Sequence, residues 1–304
     1  MLSTLPPNLR GILAMTGASI IFVFSDALAK YAAAYWPIAQ ILTVRGLFAI
    51  AAGLAAVLWA GTWRSLPLIR SRLIVGRSGV EGYTALSFLC ALPLMPLADL
   101  TSLLMLSPLA ITAIATLFLG ESVGWRRWSA IGFGFVGMLL VVQPSGAPAG
   151  APYYYWGVAL GLMAVAGVAM RDLLTRKLEP GIPGTVVTLG ASIGSCTAGA
   201  LLSMNESWAV FHWVPLVCCI LAAVIVTAGN FLIVLACRGV DLSVVAPYRF
   251  SAVFWSILIG ALAFGEVPNL ISLGGMAMIV ASGIYTLHRE RVRARAARAE
   301  RGAS

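Results

Sequence analysis

Residues 99–121, DLTSLLMLSPLAITAIATLFLGE, and residues 241–266, DLSVVAPYRFSAVFWSILIGALAFGE, follow one plan. Each opens on Asp-Leu and a hydroxyl residue. Each continues as an apolar run with a proline in its first half (Pro108, Pro247) and closes on Gly-Glu. Working outward, further pairs keep the same order. At a shift of 146 residues Gly11 meets Gly157, Asp26 meets Asp172, Lys30 meets Arg176 and Pro37 meets Pro183. Single matches mean little in so apolar a chain, but an ordered series points to a duplication.

The 304 residues include 20 basic and 11 acidic side chains, with 60% hydrophobic residues and a mean hydropathy of +0.95. A soluble protein carries about 25% charged residues; this chain carries 10%. An ordinary soluble enzyme, a disordered chain and a nucleic-acid-binding protein are thereby excluded. A bilayer core of about 30 Å takes roughly 20 apolar residues as helix. Ten such segments are expected, near 9–30, 37–60, 73–92, 98–118, 126–143, 154–175, 184–204, 213–236, 242–264 and 269–287. What remains is short loops and a tail, with no room for a soluble catalytic domain. The five cysteines (Cys90, Cys196, Cys218, Cys219 and Cys237) lie in or beside these spans without a Cys-x-x-Cys pair, and read as small packing residues.

Position turns the net charge of +9 into a topology signal. Arg10, Arg64, Arg70, Arg72, Arg126, Arg127, Arg176, Lys177 and the tail arginines from Arg289 to Arg301 all fall on one side of a ten-span chain. By the positive-inside rule both termini are cytoplasmic. Aromatic residues at the span ends, Tyr35, Trp36, Tyr153 to Trp156, Trp208 and Trp213 on one side and Trp59, Trp63, Trp125 and Trp128 on the other, read as interface anchors. The basic tail reads as a solvated helix end that helps fix topology; acidic lipid headgroups are the alternative partner.

A repeat of five spans is odd, so its two copies cross the membrane in opposite senses. This inverted repeat is an architecture of secondary transporters, in which a site between two similar halves opens to each side in turn. Two five-helix halves, each closing its fourth helix on Gly-Glu (Gly120-Glu121, Gly265-Glu266) and continuing into a Gly-rich fifth (Gly132, Gly134, Gly137; Gly274, Gly275, Gly283), resemble the drug/metabolite transporter superfamily of the EamA type. The likeness covers roughly residues 9–287, and within the family the chain looks similar to bacterial YddG-type amino-acid exporters. It implies an all-α membrane protein of ten transmembrane helices in two inverted repeats, 1–147 and 148–288, with a basic cytoplasmic tail at 289–304. It also implies a central cavity and export of amino acids and related small metabolites across the bacterial inner membrane, without cofactor or metal. Multidrug or nucleoside transport within the same superfamily is the alternative. One chain encloses a cavity unaided, so a monomer suffices.

Charges inside spans need a reason. Asp26 and Lys30 are four apart on one helical face, as are Arg77 and Glu81. Each pair reads either as a neutralised intrahelical pair or as a cavity carboxylate that takes up a proton, with Glu81 the better placed of the two acids. Asp172, beside Arg171, reads as structural. Arg45 and Arg249 have no acidic partner within helical reach; they snorkel, pair across helices or face a cavity, where a bidentate pair would suit a carboxylate substrate. Asp99 and Asp241 fit helix N-caps. Glu121 and Glu266 follow helix C-termini, where a negative charge is unfavourable, so they are expected to bond the loop backbone or the start of the next helix.

Pro108 and Pro247 are candidate hinges in the fourth and ninth spans. Helical spacing then groups Thr101, Met105 and Thr112, then Tyr248, Ser251 and Trp255, and then Gly79, Tyr83 and Ser87. Together with Asn230 they are candidate cavity residues; helix packing by small residues is the competing reading. A membrane enzyme would need a nucleophile, acid–base pair or metal site. The only histidines, His212 and His288, lie at span ends, and no metal or phosphate motif appears. A channel would need a continuous pore.

Overall fold

The computed structural model describes residues 7–119, 125–143, 153–179, 181–204, 206–237 and 245–302. Glu121 and Asp241 lie outside them. The described residues form eleven α-helices and no strand: α1 Pro7–Ala32, α2 Ile38–Trp59, α3 Arg72–Ala91, α4 Leu97–Leu104, α5 Ser107–Leu119, α6 Trp125–Val142, α7 Tyr154–Arg176, α8 Gly184–Ser203, α9 Trp213–Cys237, α10 Ser251–Phe264 and α11 Leu270–Gly302. Two 3-10 segments, Trp63–Arg70 and Ala246–Phe250, join α2 to α3 and precede α10. A helix satisfies its own backbone, which is what an apolar solvent demands.

Among the described residues eight spans are long and apolar enough to cross a membrane, against the ten expected over the whole chain. Of the others, α3 carries Arg72, Arg77 and Glu81 within its 20 residues, and the apolar part of α6 is only Trp128–Val142. The span expected at 98–118 is broken: α4 ends at Leu104 and α5 begins at Ser107. Pro108 has no N–H to offer the carbonyl of Leu104, so the regular ladder cannot pass through this point. The second proline run breaks similarly, with Pro247 inside the 3-10 segment and α10 starting at Ser251. The last helix, α11, continues through the basic tail to Gly302.

The helices of one half pack on those of the other: α1 on α9, α2 on α8, α3 on α7 and α8, and α6 on α11. Apolar attraction does not drive such pairing inside lipid; close approach does. A Cβ on Gly46 would lie 2.7 Å from Cys196, and one on Gly199 would lie 2.6 Å from the Thr43 nitrogen. Gly137 and Gly275 face each other, each with its Cβ direction against the other's carbonyl oxygen. Buried hydroxyls turn back on their own helices, as Thr43 does to the Ala39 carbonyl (2.7 Å) and Thr84 to that of Val80 (2.7 Å). Large apolar side chains such as Leu58, Trp59, Phe254, Leu262 and Leu270 cover the outside.

Most of the span-end tryptophans are exposed, as anchors would be, but two of the aromatics read as anchors are not. Trp36 is 4% exposed and donates to the Val210 carbonyl. Tyr154 is 1% exposed and belongs to the site below. A ring that carries a hydrogen-bonding group gains more from a buried partner than from the interface.

Candidate functional site

A cavity of about 310 Å³ opens among α1, α2, α3, α4, α7, α8 and α9. Asp26, Arg45, Glu81, Arg171 and Asn230 supply its polar chemistry, and Leu42, Phe88 and Leu89 are among its apolar walls. The lining carries two acids and two bases.

The four charges differ in what holds them. Glu81 sits between two guanidiniums: Arg77 Nη2 lies 3.6 Å from one oxygen, and Arg171 Nη1 lies 3.4 Å from the other. Arg171 also holds Asp172 at 3.0 Å, and Arg77 Nε donates to Thr175 at 2.9 Å. The pair expected on α3 is therefore one edge of a network that ties α3 to α7. Arg45 donates to the Ser25 hydroxyl at 3.1 Å. Asp26, its neighbour on α1, makes no ion pair or hydrogen bond among the described residues, and Arg45 is the cation that acts on it. The Asp26–Lys30 pair does not form, because Lys30 is engaged elsewhere. Arg249 is exposed, within electrostatic reach of Asp172 and Arg171.

Glu81→Gln leaves Arg77 and Arg171 without their shared counter-charge. Removing one partner costs about 3–5 kcal/mol for a fully buried pair and under about 1 kcal/mol at a surface. With Glu81 19% exposed, a loss of roughly 1–3 kcal/mol is expected between those limits. The check is a lowered apparent Tm of the purified variant in detergent.

A second polar cluster lies at the Lys30 end and joins the two halves of the chain. Lys30 Nζ donates to Glu266 Oε1 and, at 2.8 Å, to the Met95 carbonyl. Glu266 Oε2 accepts the Leu97 N–H at 2.9 Å, the first residue of α4. Tyr154 donates to Asp99 at 2.9 Å. Two expectations are corrected here. Asp99 is not an N-cap: α4 starts after Pro96, which makes no side-chain cap, and Asp99 sits in the first turn on Tyr154. The capping carboxylate is Glu266, brought from the other half of the chain. Nor does Glu266 bond its own loop or the next helix through its side chain. Gly265 ends α10 at φ +68°, and the Glu266 N–H bonds the Gly260 carbonyl at 3.1 Å. That left-handed C-terminus turns the chain out of the helix and delivers Glu266 to Lys30.

Of the candidate cavity residues, only Arg45, Glu81 and Asn230 line this cavity, with Asp26 beside them. Gly79 lies in a separate groove between α3 and α8. Tyr83 is exposed and packs toward Gly167, while Ser87, Thr101, Met105 and Thr112 are buried. Thr101 and Thr112 bond carbonyls of their own helices. Tyr248 is exposed; the Ser251 hydroxyl and the Trp255 indole N–H are buried without partners among the described residues. Pro108 and Pro247 stand beside the two helix breaks. On α3 the cavity face is Glu81, Thr84, Ala85 and Phe88, rotated from the stripe read by spacing. Thr84, Phe88 and Ser192 were missed; the spacing of four from Arg77 through Glu81 to Ala85 was the signal that marked the face.

Residues 9–143 match the EamA-like transporter family. Through that first half the chain resembles the EamA type of the drug/metabolite transporter superfamily. The chain is 27% identical to a riboflavin transporter of Rhizobium johnstonii over 80% of its own length and 76% of the relative's. It is 25% identical to a pseudopaline exporter of Pseudomonas aeruginosa over 90% and 94%. It is 23% identical to an S-adenosylmethionine uptake transporter of Rickettsia bellii over 67% and 68%. A solved structure titled only as a crystal structure of protein superposes with a TM-score of 0.63 at 20% identity, covering 93% of this chain and 99% of that one. That likeness concerns the fold alone. The chain is thus a multi-pass helical membrane protein whose first half matches a transporter family and whose relatives are named as small-molecule transporters.

Proposed function

We propose that this protein is a secondary transporter of the bacterial inner membrane. It moves amino acids and related small metabolites outward by alternating access, between inverted five-helix halves at 1–147 and 148–288. Both termini and the 289–304 tail are cytoplasmic in this reading. The observation that carries it is the cavity between the halves, with balanced charge and apolar walls. A net-neutral substrate bearing both charges, with an apolar remainder, matches such a lining.

The helix pairing supports the inverted repeat. Exchanging the halves turns α1 on α9 into α7 on α3, and maps α2 on α8 and α6 on α11 onto themselves. The one-sided arginines support the orientation. The relatives' names include both uptake and export, so direction rests on the resemblance to amino-acid exporters. Their names also include riboflavin and S-adenosylmethionine, which keeps other metabolites as the second reading. Of the two acids considered for proton uptake, Asp26 is favoured over Glu81, because two arginines already engage Glu81.

Counterflow in proteoliposomes tests the reading, with a panel of amino acids, riboflavin, S-adenosylmethionine, nucleosides and cationic drugs. Accumulation of amino acids against preloaded unlabelled substrate is expected. Accumulation of none of them removes the amino-acid assignment, and non-saturable flux removes the transporter in favour of a channel.

A further inference from the structure

The cavity holds one charged pair that the protein leaves unused. Glu81 and Arg171 are each committed to partners on α3 and α7. Asp26 has no ion-pair or hydrogen-bonding partner among the described residues, and Arg45 spends one donor on Ser25. A carboxylate at this depth is costly to leave uncompensated. Arg45 projects from α2 and Asp26 from α1, and both line the cavity, yet they do not pair with one another. A guanidinium has five N–H donors, so Arg45 retains capacity for a carboxylate. Asp26 retains its full acceptor capacity for a cationic group. Around them Leu42, Phe88, Leu89 and Val226 form an apolar wall.

From this arrangement we infer that Asp26 and Arg45 form a clamp for zwitterions, the acid holding an ammonium group and the arginine a carboxylate, with an apolar side chain against the wall. The inference rests on the small-metabolite reading above and deepens it: it assigns the substrate class to two residues, on consecutive helices of the chain. Each contact is a charge-assisted hydrogen bond, the strong class. Ser25 acts as a positioning residue, since its hydroxyl fixes the guanidinium.

The test uses three related probes: L-leucine, its methyl ester, which lacks the carboxylate, and 4-methylpentanoate, which lacks the ammonium. Binding to the full-length purified protein is measured by thermal shift and equilibrium dialysis, and counterflow of leucine is measured in liposomes. Arg45→Gln should weaken leucine roughly tenfold or more and leave the ester unchanged. Asp26→Asn should weaken leucine and the ester to a similar degree and leave 4-methylpentanoate unchanged. The unaffected analogue shows in each case that the variant has folded. Equal loss of all three probes in either variant overturns the clamp, as does unchanged leucine binding or wild-type protein that does not bind leucine. If leucine binds with the expected pattern but gives no counterflow, the clamp stands and the amino-acid transport reading falls. If leucine is transported without dependence on either residue, the transporter reading stands and the clamp falls.

Discussion

Lys30→Glu loses at least tenfold in the initial rate of substrate counterflow, and Glu266→Ala loses a similar factor. Both residues act at the end of the molecule where the two halves are tied together. Lys30 is 10% exposed and Glu266 21%, so water does little to replace a missing partner. In Lys30→Glu two carboxylates face each other, and the Met95 carbonyl loses its donor. In Glu266→Ala the Leu97 N–H at the start of α4 loses its acceptor, and Lys30 keeps a charge without its counter-ion. Breaking such a pair from one side costs roughly 2–4 kcal/mol, near the lower end for buried pairs.

Under the alternating-access mechanism proposed above, the protein visits a state closed at this end in every cycle. About 2 kcal/mol against that state shifts its population some thirtyfold, and the rate follows. The charge-swapped double variant, Lys30→Glu with Glu266→Lys, should recover part of the rate. Recovery is incomplete because a lysine at 266 cannot accept from Leu97. Single variants that retain the wild-type rate within twofold would mean that this contact is not a gate.

Gly194→Val prevents stable packing of α3 against α8. A Cβ at residue 194 would enter the backbone of Ser78, and one at Gly82 would lie 2.5 Å from the Gly194 carbonyl oxygen. The obstacle is main chain on both sides, so no rotamer relieves it and the helices must separate. Overpacking that side chains can absorb costs about 1–3 kcal/mol; a backbone clash at a helix crossing exceeds that. The expected result is loss of the monodisperse species in detergent, or a fall in apparent Tm beyond 10 °C, roughly the shift for several kcal/mol in a protein of this size. Gly76→Ala on α3 is the control. Its Cβ meets nothing within 4 Å, and the helix gains up to about 1 kcal/mol from the better helix former. Equal behaviour of the two variants would refute the close-packing account.

Much of this was legible because charge is scarce. Each charge in a span needs a reason, and Asp26, Lys30, Arg45, Arg77, Glu81 and Arg249 stand out in the sequence for that cause. The Arg77–Glu81 pair is local, and it forms. The Asp26–Lys30 pair has the same spacing and does not form, because Lys30 finds Glu266, 236 residues away in sequence. The stripes Gly79–Tyr83–Ser87 and Thr101–Met105–Thr112 are correctly periodic but do not face the cavity: Thr101, Met105, Thr112 and Ser87 are packed, while Gly79 and Tyr83 are exposed. Periodicity identifies a face; it does not say which neighbour the face meets.

The sequence by itself determined that the chain is a helical membrane protein with a repeated plan, since hydropathy, charge placement and the order of matched residues are properties of the chain alone. It also contained the Gly-Glu signature, and the reason for the glycine is local: only a residue at ease at φ +68° ends α10 this way. The reason for the glutamate is not local. Tertiary structure decided that Glu266 would cap α4 and hold Lys30, that Tyr154 would leave the interface for Asp99, and that Asp26 would face a cavity without a partner. Those outcomes depend on which helices lie side by side. In lipid that is set by close packing of small residues across the two halves, an energy no single helix carries in its own sequence.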